Sequence, residues 1–212
     1  MRWIVPLLCA LSVFGPEPAS AQAEISIYGM AVQASPSQVS GTDPGGLGTF
    51  SFSSDWIADG TAGMRVTWWG EQDVGWGLDV QYSGVAADAA TLAGAGANAL
   101  ALEDGLGLVT LNAYRRWSGT NLGLTPYVGA GLGLAVPSVN FDGGGSTTSG
   151  RQLTGPAVRI VAGAQYPISD RMALFGEYQG SYSINQVELS GGGSLDTEIL
   201  TNGLNFGLSL GF

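Results

Sequence analysis

Four charged residues, Arg65, Asp79, Arg159 and Glu177, stand in runs where every second neighbour is apolar, and each falls on the small, polar face of its run. Charges placed this way do one of two things. They neutralise one another in an interior without bulk water, or they line a path for protons, ions or a polar solute. Counting inward from the short turn at residues 70–75 brings Arg65 close to Asp79, and counting from the turn at residues 168–171 brings Arg159 diagonally close to Glu177 and Gln179. Two lumenal ion pairs, each within ~4 Å, are the expectation.

The rest of the inventory excludes more than it offers. The chain has no histidine, which removes Ser-His and Cys-His nucleophile pairs and the imidazole ligands of most catalytic zinc or iron sites. Its one cysteine, Cys9, lies in an N-terminal segment that reads as an export signal: Met1-Arg2-Trp3, an apolar stretch from Ile4 to Phe14, and Ala19-Ser20-Ala21 as the cleavage site. Residues 1–21 are therefore expected to be removed, leaving residues 22–212 as one domain without a thiol or disulfide. The net charge of −10 is unchanged by that cleavage, since one base and one acid leave together. Every basic residue is arginine, and only Arg115 and Arg116 are adjacent, so no stripe exists to follow a phosphate backbone and nucleic acid is not expected as a partner.

These residues must be positioned by strands. No remaining stretch reaches the ~18 apolar residues of a membrane helix, yet mean hydropathy is +0.21. Strands of ~9–11 residues that show lipid every second side chain reconcile the two observations. The last run is the clearest: Leu204, Phe206, Leu208, Leu210 and Phe212 alternate with Gly203, Asn205, Gly207, Ser209 and Gly211. Similar alternation runs from Trp76 to Ser83, Tyr127 to Val136 and Val158 to Tyr166. Segments 25–34, 62–69, 106–117 and 172–186 bring the set to eight. Long connections (35–61, 84–105, 140–156, 187–197) alternate with short ones (70–75, 118–123, 167–171), which is the pattern of a closed, up-and-down, eight-stranded antiparallel transmembrane β-barrel of the outer-membrane type, all-β in class. Aromatic residues near strand ends form an expected girdle: Trp68, Trp69, Trp76, Trp117, Tyr114, Tyr127, Tyr166 and Phe212 at the periplasmic interface, and Tyr82, Tyr182 and Phe141 at the outer one. A soluble lipocalin-type barrel would carry large apolar side chains inside instead.

The long connections and their margins hold Asp43, Asp55, Asp59, Asp88, Glu103, Asp104, Asp142, Glu188, Asp196 and Glu198 against Arg151 alone. Their spacing matches no calcium loop, so a solvated acidic surface is expected and no metal site or cofactor is assigned. Arg115, Arg116 and Arg171 flank short turns and should reach periplasmic water or headgroups.

The stretch Thr125-Pro126-Tyr127-Val128-Gly129-Ala130-Gly131-Leu132-Gly133-Leu134-Ala135-Val136-Pro137, with Leu106 to Trp117, Leu174 to Ser183 and Gly191 to Thr197, resembles a family of small proteobacterial outer-membrane barrels labelled lipid A oxidase. The resemblance implies the barrel fold across the mature chain and, as an activity, oxidation of the proximal glucosamine of lipid A to an aminogluconate with oxygen as oxidant. Two stretches depart from the family pattern, Ser35-Pro36-Ser37-Gln38-Val39 and Tyr82-Ser83-Gly84-Val85, and both lack the histidine and basic residues found there in relatives. For an oxidase, Glu188, Asp196 and Glu198 would be the candidate general bases.

Eight strands enclose an interior that side chains fill. The first expectation is therefore an OmpA-like or opacity-like structural and surface barrel of a Gram-negative outer membrane. It would be monomeric, in contact with lipopolysaccharide, and delivered by periplasmic chaperones and the barrel assembly machinery that reads Phe212. A lipid A-modifying oxidase is the alternative, and a narrow channel or small-solute binding barrel the second alternative.

Overall fold

The computed structural model describes residues 22–118, 123–144 and 147–212. The expected signal segment, residues 1–21, lies outside them. Eight long antiparallel strands form the wall: β1 (Gln22–Ala34), β4 (Trp56–Trp69), β5 (Val74–Ala87), β6 (Ala99–Arg116), β7 (Thr125–Ala135), β10 (Gly155–Pro167), β11 (Met172–Leu189) and β12 (Gly193–Gly211). Each pairs with its neighbour, and β1 pairs with β12 from Glu24↔Gly211 to Ala34↔Thr201, so the sheet closes on itself. No edge is left in the wall, as crossing a bilayer by strands requires.

Alternation sets which side chains face out. Ile27, Leu111, Leu132, Ile160 and Phe206 are exposed on the outside, while Ser26, Asn112, Gln81, Ser183 and Asn205 are buried inside. The narrow interior depends on inward glycines. A Cβ at Gly63 would lie 2.2 Å from the Tyr28 ring, and one at Gly129 would lie 2.4 Å from Tyr114. Small residues on one strand make room for rings from the next.

The long connections are not loops, as the sequence suggested, but a cap. The first folds into the hairpin β2 (Ser37–Asp43) and β3 (Gly48–Ser54), with β2 docked on β12. The second long connection holds a short helix, α1 (Ala89–Ala95), begun by the Asp88 carboxylate accepting from the Ala90 N–H at 3.0 Å and ended by Gly96 at φ 74°. The third forms β8 (Ser138–Asp142) and β9 (Thr147–Arg151). The fourth is a tight turn, because β11 and β12 stay paired as far as Leu189↔Gly193. Gly191 and Gly192 take left-handed φ of 81° and 87° there.

These pieces close over an apolar cluster that includes Val39, Phe50, Trp56, Leu100, Phe141, Val187, Leu195 and Ile199. Phe50 stacks on Phe141 with centroids 5.8 Å apart. A fully buried side chain of this kind contributes roughly 1.5–3 kcal/mol, which is why the connecting segments fold back over the lumen. One seam is joined by a side chain: the Gln152 amide donates to the Glu188 carbonyl at 2.8 Å and accepts from the Glu188 N–H at 2.9 Å, standing in for a strand's backbone.

Candidate functional site: a buried charge network in the lumen

Below the cap, all eight wall strands send a side chain to one cluster: Tyr28 from β1, Arg65 from β4, Asp79 from β5, Tyr114 from β6, Tyr127 from β7, Arg159 from β10, Glu177 and Gln179 from β11, and Asn205 from β12. All are buried. Arg65 and Asp79 are directly opposed in the β4–β5 register, and Arg65 Nε donates to Asp79 Oδ2 at 2.9 Å. Arg65 also spans the lumen, with its two terminal nitrogens 3.0 and 2.7 Å from the two oxygens of Glu177. This is a fork-on-carboxylate contact of the strong kind. Arg159 pairs with Asp79 Oδ1, reaches Glu177 Oε1 at 3.6 Å, and donates to Gln179 Oε1. The two pairs expected from the hairpins thus belong to a single four-charge network, in which each arginine meets both acids.

Neutral groups extend it, while Arg159 Nε, Tyr114 Oη and Asn205 Oδ1 are buried without a hydrogen-bond partner among the described residues. Tyr28 donates to Asp79 at 2.6 Å, and its hydroxyl oxygen accepts from Arg159 at 3.1 Å. Tyr127 donates to Glu177 Oε2 at 2.6 Å, while Asn205 donates to Glu177 Oε1 at 2.7 Å and Gln179 Oε1 at 2.9 Å. The Arg65 guanidinium lies 5.1–5.9 Å from the ring centroids of Tyr114, Tyr28 and Phe175. Glu177 accepts from four donor atoms, the number of lone-pair sites a carboxylate has. A carboxylate so occupied has no site left to take a proton from a substrate.

Between network and cap lies a layer of short polar side chains bonded to each other: Thr61 with Ser83 at 2.6 Å, Ser181 with Thr201 at 2.6 Å, and Thr154 with Asn185 at 2.9 Å.

Four girdle residues point the other way from expectation. Trp69, Tyr114 and Tyr127 turn into the lumen and Phe141 into the cap. Trp68 and Trp69 are consecutive, so only one can face lipid. Trp68, Trp76, Trp117, Tyr166 and Phe212 remain exposed on the outside, and Tyr82 and Tyr182 half-buried. Parity held the signal for the inward tyrosines, since Tyr28 alternates with Ile27 and Tyr127 shares the glycine face of β7. What the sequence did not reveal is that their hydroxyls complete the carboxylates.

The short-turn end is held by Asp73, whose carboxylate meets Arg116 Nε at 2.9 Å and accepts from Ser118 Oγ at 3.0 Å. The Arg116 hydrogen bond, chiefly, holds the Asp73 pKa below its ordinary value. Arg116 also lies over the Trp69 ring at 4.3 Å, and Arg115 bonds the Gln72 carbonyl. Arg171 is exposed.

At the far end, Asp43 accepts from the Gly45 and Leu47 amides, and Asp142 from the Gly144 amide at 2.8 Å, so these acids shape turns. Among the described residues no group of acids is arranged to hold a metal ion. Glu188, Asp196 and Glu198 share the outward face of β11 and β12, away from the lumen, and Glu198 accepts from the Tyr182 hydroxyl.

A closed meander with an apolar outer wall and a filled polar lumen defines a small outer-membrane β-barrel. The chain belongs to the family described as outer membrane protein beta-barrel domain, whose model matches residues 7–212. Among solved structures it is similar to Neisserial surface protein A, with 13% identity, TM-score 0.51 and coverage of 90% of this chain and 97% of that one. It is also similar to the outer membrane protein OprG from Pseudomonas aeruginosa, with 12% identity, TM-score 0.47 and coverage of 91% and 96%. No curated protein sequence matches it significantly. The protein resides in the outer membrane of a Gram-negative bacterium, with its wall against lipid and, by the rule for such barrels, its short turns in the periplasm.

Proposed function

We propose that this protein is a plugged, non-conducting barrel of the bacterial surface, with a structural role in contact with lipopolysaccharide. The filled lumen, with its buried charges paired, carries the reading. Arg65, Asp79, Arg159 and Glu177 take up one another's charge, Gln179 and Asn205 bridge them, and the cap seals them from the outer side. A solute would have to break this network and displace the cap together. In this reading residues 1–21 are an export signal and residues 22–212 the mature, monomeric barrel. Periplasmic chaperones and the barrel assembly machinery deliver it, with exposed Phe212 as the aromatic residue that the machinery reads. In planar lipid bilayers the purified protein leaves the membrane insulating. Stable ohmic steps would overturn the plug and favour a narrow channel instead.

Lipid A oxidation is the second reading. It is favoured by the family-like stretches and by the outward position of Glu188, Asp196 and Glu198 at the outer end of the wall. Mass spectrometry of lipid A from membranes with and without the gene decides it: a gain of one oxygen supports the enzyme, and its absence retires it.

A further inference from the structure

The lipid-facing wall is apolar almost throughout, with one exception near its outer end. Gln33 on β1 and Asn202 on β12 both face outward and are directly opposed in the β1–β12 register. Neither amide has a side-chain hydrogen bond among the described residues. They do not mark the top of the wall, because exposed Leu200 continues the apolar surface beyond Asn202 before Glu198 begins the polar part. An amide on the lipid-facing wall with Leu200 beyond it meets acyl chains, and there an unmatched donor or acceptor is costly.

Beside these amides the wall has a notch of about 250 Å³, lined by Val158, Ile160, Tyr178, Tyr182 and Leu200, with Gly180 at its centre and Asn202 at its edge. Gly180 is opposed by Asn202 on one side and Ile160 on the other, so the missing side chain leaves the depression next to the amides. The notch lies in a surface that already contacts membrane lipid and is continuous with that interface. It is also on the outer side: the Ser35 amide, where the chain leaves β1 for the cap, bonds the Leu200 carbonyl at 2.9 Å.

We propose that this notch is a lipid A site, in which one acyl chain packs against Gly180 while Asn202 and Gln33 hydrogen-bond the amide or hydroxyl groups near the root of that chain. Phospholipid acyl chains fit the notch but carry only ester carbonyls at that depth. Lipid A also offers donors to the amide oxygens. The proposal deepens the surface-barrel reading, whose plug is tested separately by conductance in phosphatidylcholine bilayers free of lipid A.

Native mass spectrometry of the protein released from detergent micelles tests it, with hexa-acylated lipid A and dimyristoyl phosphatidylcholine as separate probes. Wild type should retain one lipid A in preference to the phospholipid. Gly180→Leu fills the notch, and its Cβ would lie 3.4 Å from the nearest Ile160 atom, an ordinary contact. Asn202→Leu removes the polar contact without touching the notch floor. Each should weaken lipid A retention about tenfold, the loss of roughly 1.4 kcal/mol, and leave phospholipid retention unchanged for Asn202→Leu. Equal retention of both lipids by wild type reduces the notch to an ordinary boundary position and overturns the proposal. Lipid A binding that survives both substitutions, or none by wild type, overturns it as well.

Discussion

Replacing Arg65 by methionine removes the guanidinium that bonds Asp79 through Nε and Glu177 through both terminal nitrogens, leaving two buried acids facing Arg159 alone. Glu177 loses two of its four donors, and the Tyr114 and Phe175 rings lose their cation, while Tyr28 keeps Arg159. Removing one member of a buried ion network costs about 3–5 kcal/mol, most of it the penalty on the charge left behind. The double replacement Arg65→Met with Glu177→Gln deletes one charge of each sign and leaves Asp79 paired with Arg159. It should therefore be at least ~2 kcal/mol less destabilised than the sum of the two single changes. Urea unfolding in dilauroyl phosphatidylcholine vesicles, followed by tryptophan fluorescence and by the gel shift of the folded barrel, measures the cycle. Single effects that add within ~0.5 kcal/mol would refute the reasoning, because independent sites behave that way.

The inward and outward glycines should separate cleanly. A Cβ on Gly133 meets the Val109 carbonyl at 2.0 Å and the Thr110 Cα at 2.7 Å, both backbone, so Gly133→Ala should lower the folded yield or stability by more than about 2 kcal/mol. Gly180→Ala, open to lipid, should change stability by under ~0.5 kcal/mol in the same vesicles. Gln152→Ala should speed hydrogen exchange at the Glu188 amide, whose acceptor it removes, without altering exchange in β1. At the periplasmic turns, Asp73 has its folded pKa lowered, so its contribution is complete above the unfolded carboxylate pKa of ~3.9 and is lost as pH falls through the lower folded value. Asp73→Asn should accordingly destabilise by under ~1 kcal/mol at pH 7 and by progressively less as pH falls below the ordinary carboxylate range, read from urea midpoints across that range.

A two-residue period is a local property, and the sequence alone determined what depends on it. The eight wall segments, their inner and outer faces, and the burial of Arg65, Asp79, Arg159 and Glu177 on the polar face could all be read from alternation, since lipid and lumen select side chains strand by strand. The direct opposition of Arg65 and Asp79 followed as well, because one short turn sets that register. Strand ends were less legible. β11 and β12 continue past the expected boundary because their ladder persists to a two-glycine turn, and the acidic, glycine-rich connections conceal enough apolar residues to build a cap.

Only the tertiary structure decided which inward groups meet. Arg65 and Glu177 are 112 positions apart and lie on strands that are not neighbours, so no hairpin count joins them. Strand tilt and stagger bring them across a narrow lumen, where Tyr28, Tyr127 and Asn205 supply the remaining bonds. The same closure places Gln33 beside Asn202, joining the first strand to the last. Local patterning chooses a face for each residue, but the partners on that face are chosen by how the cylinder shuts.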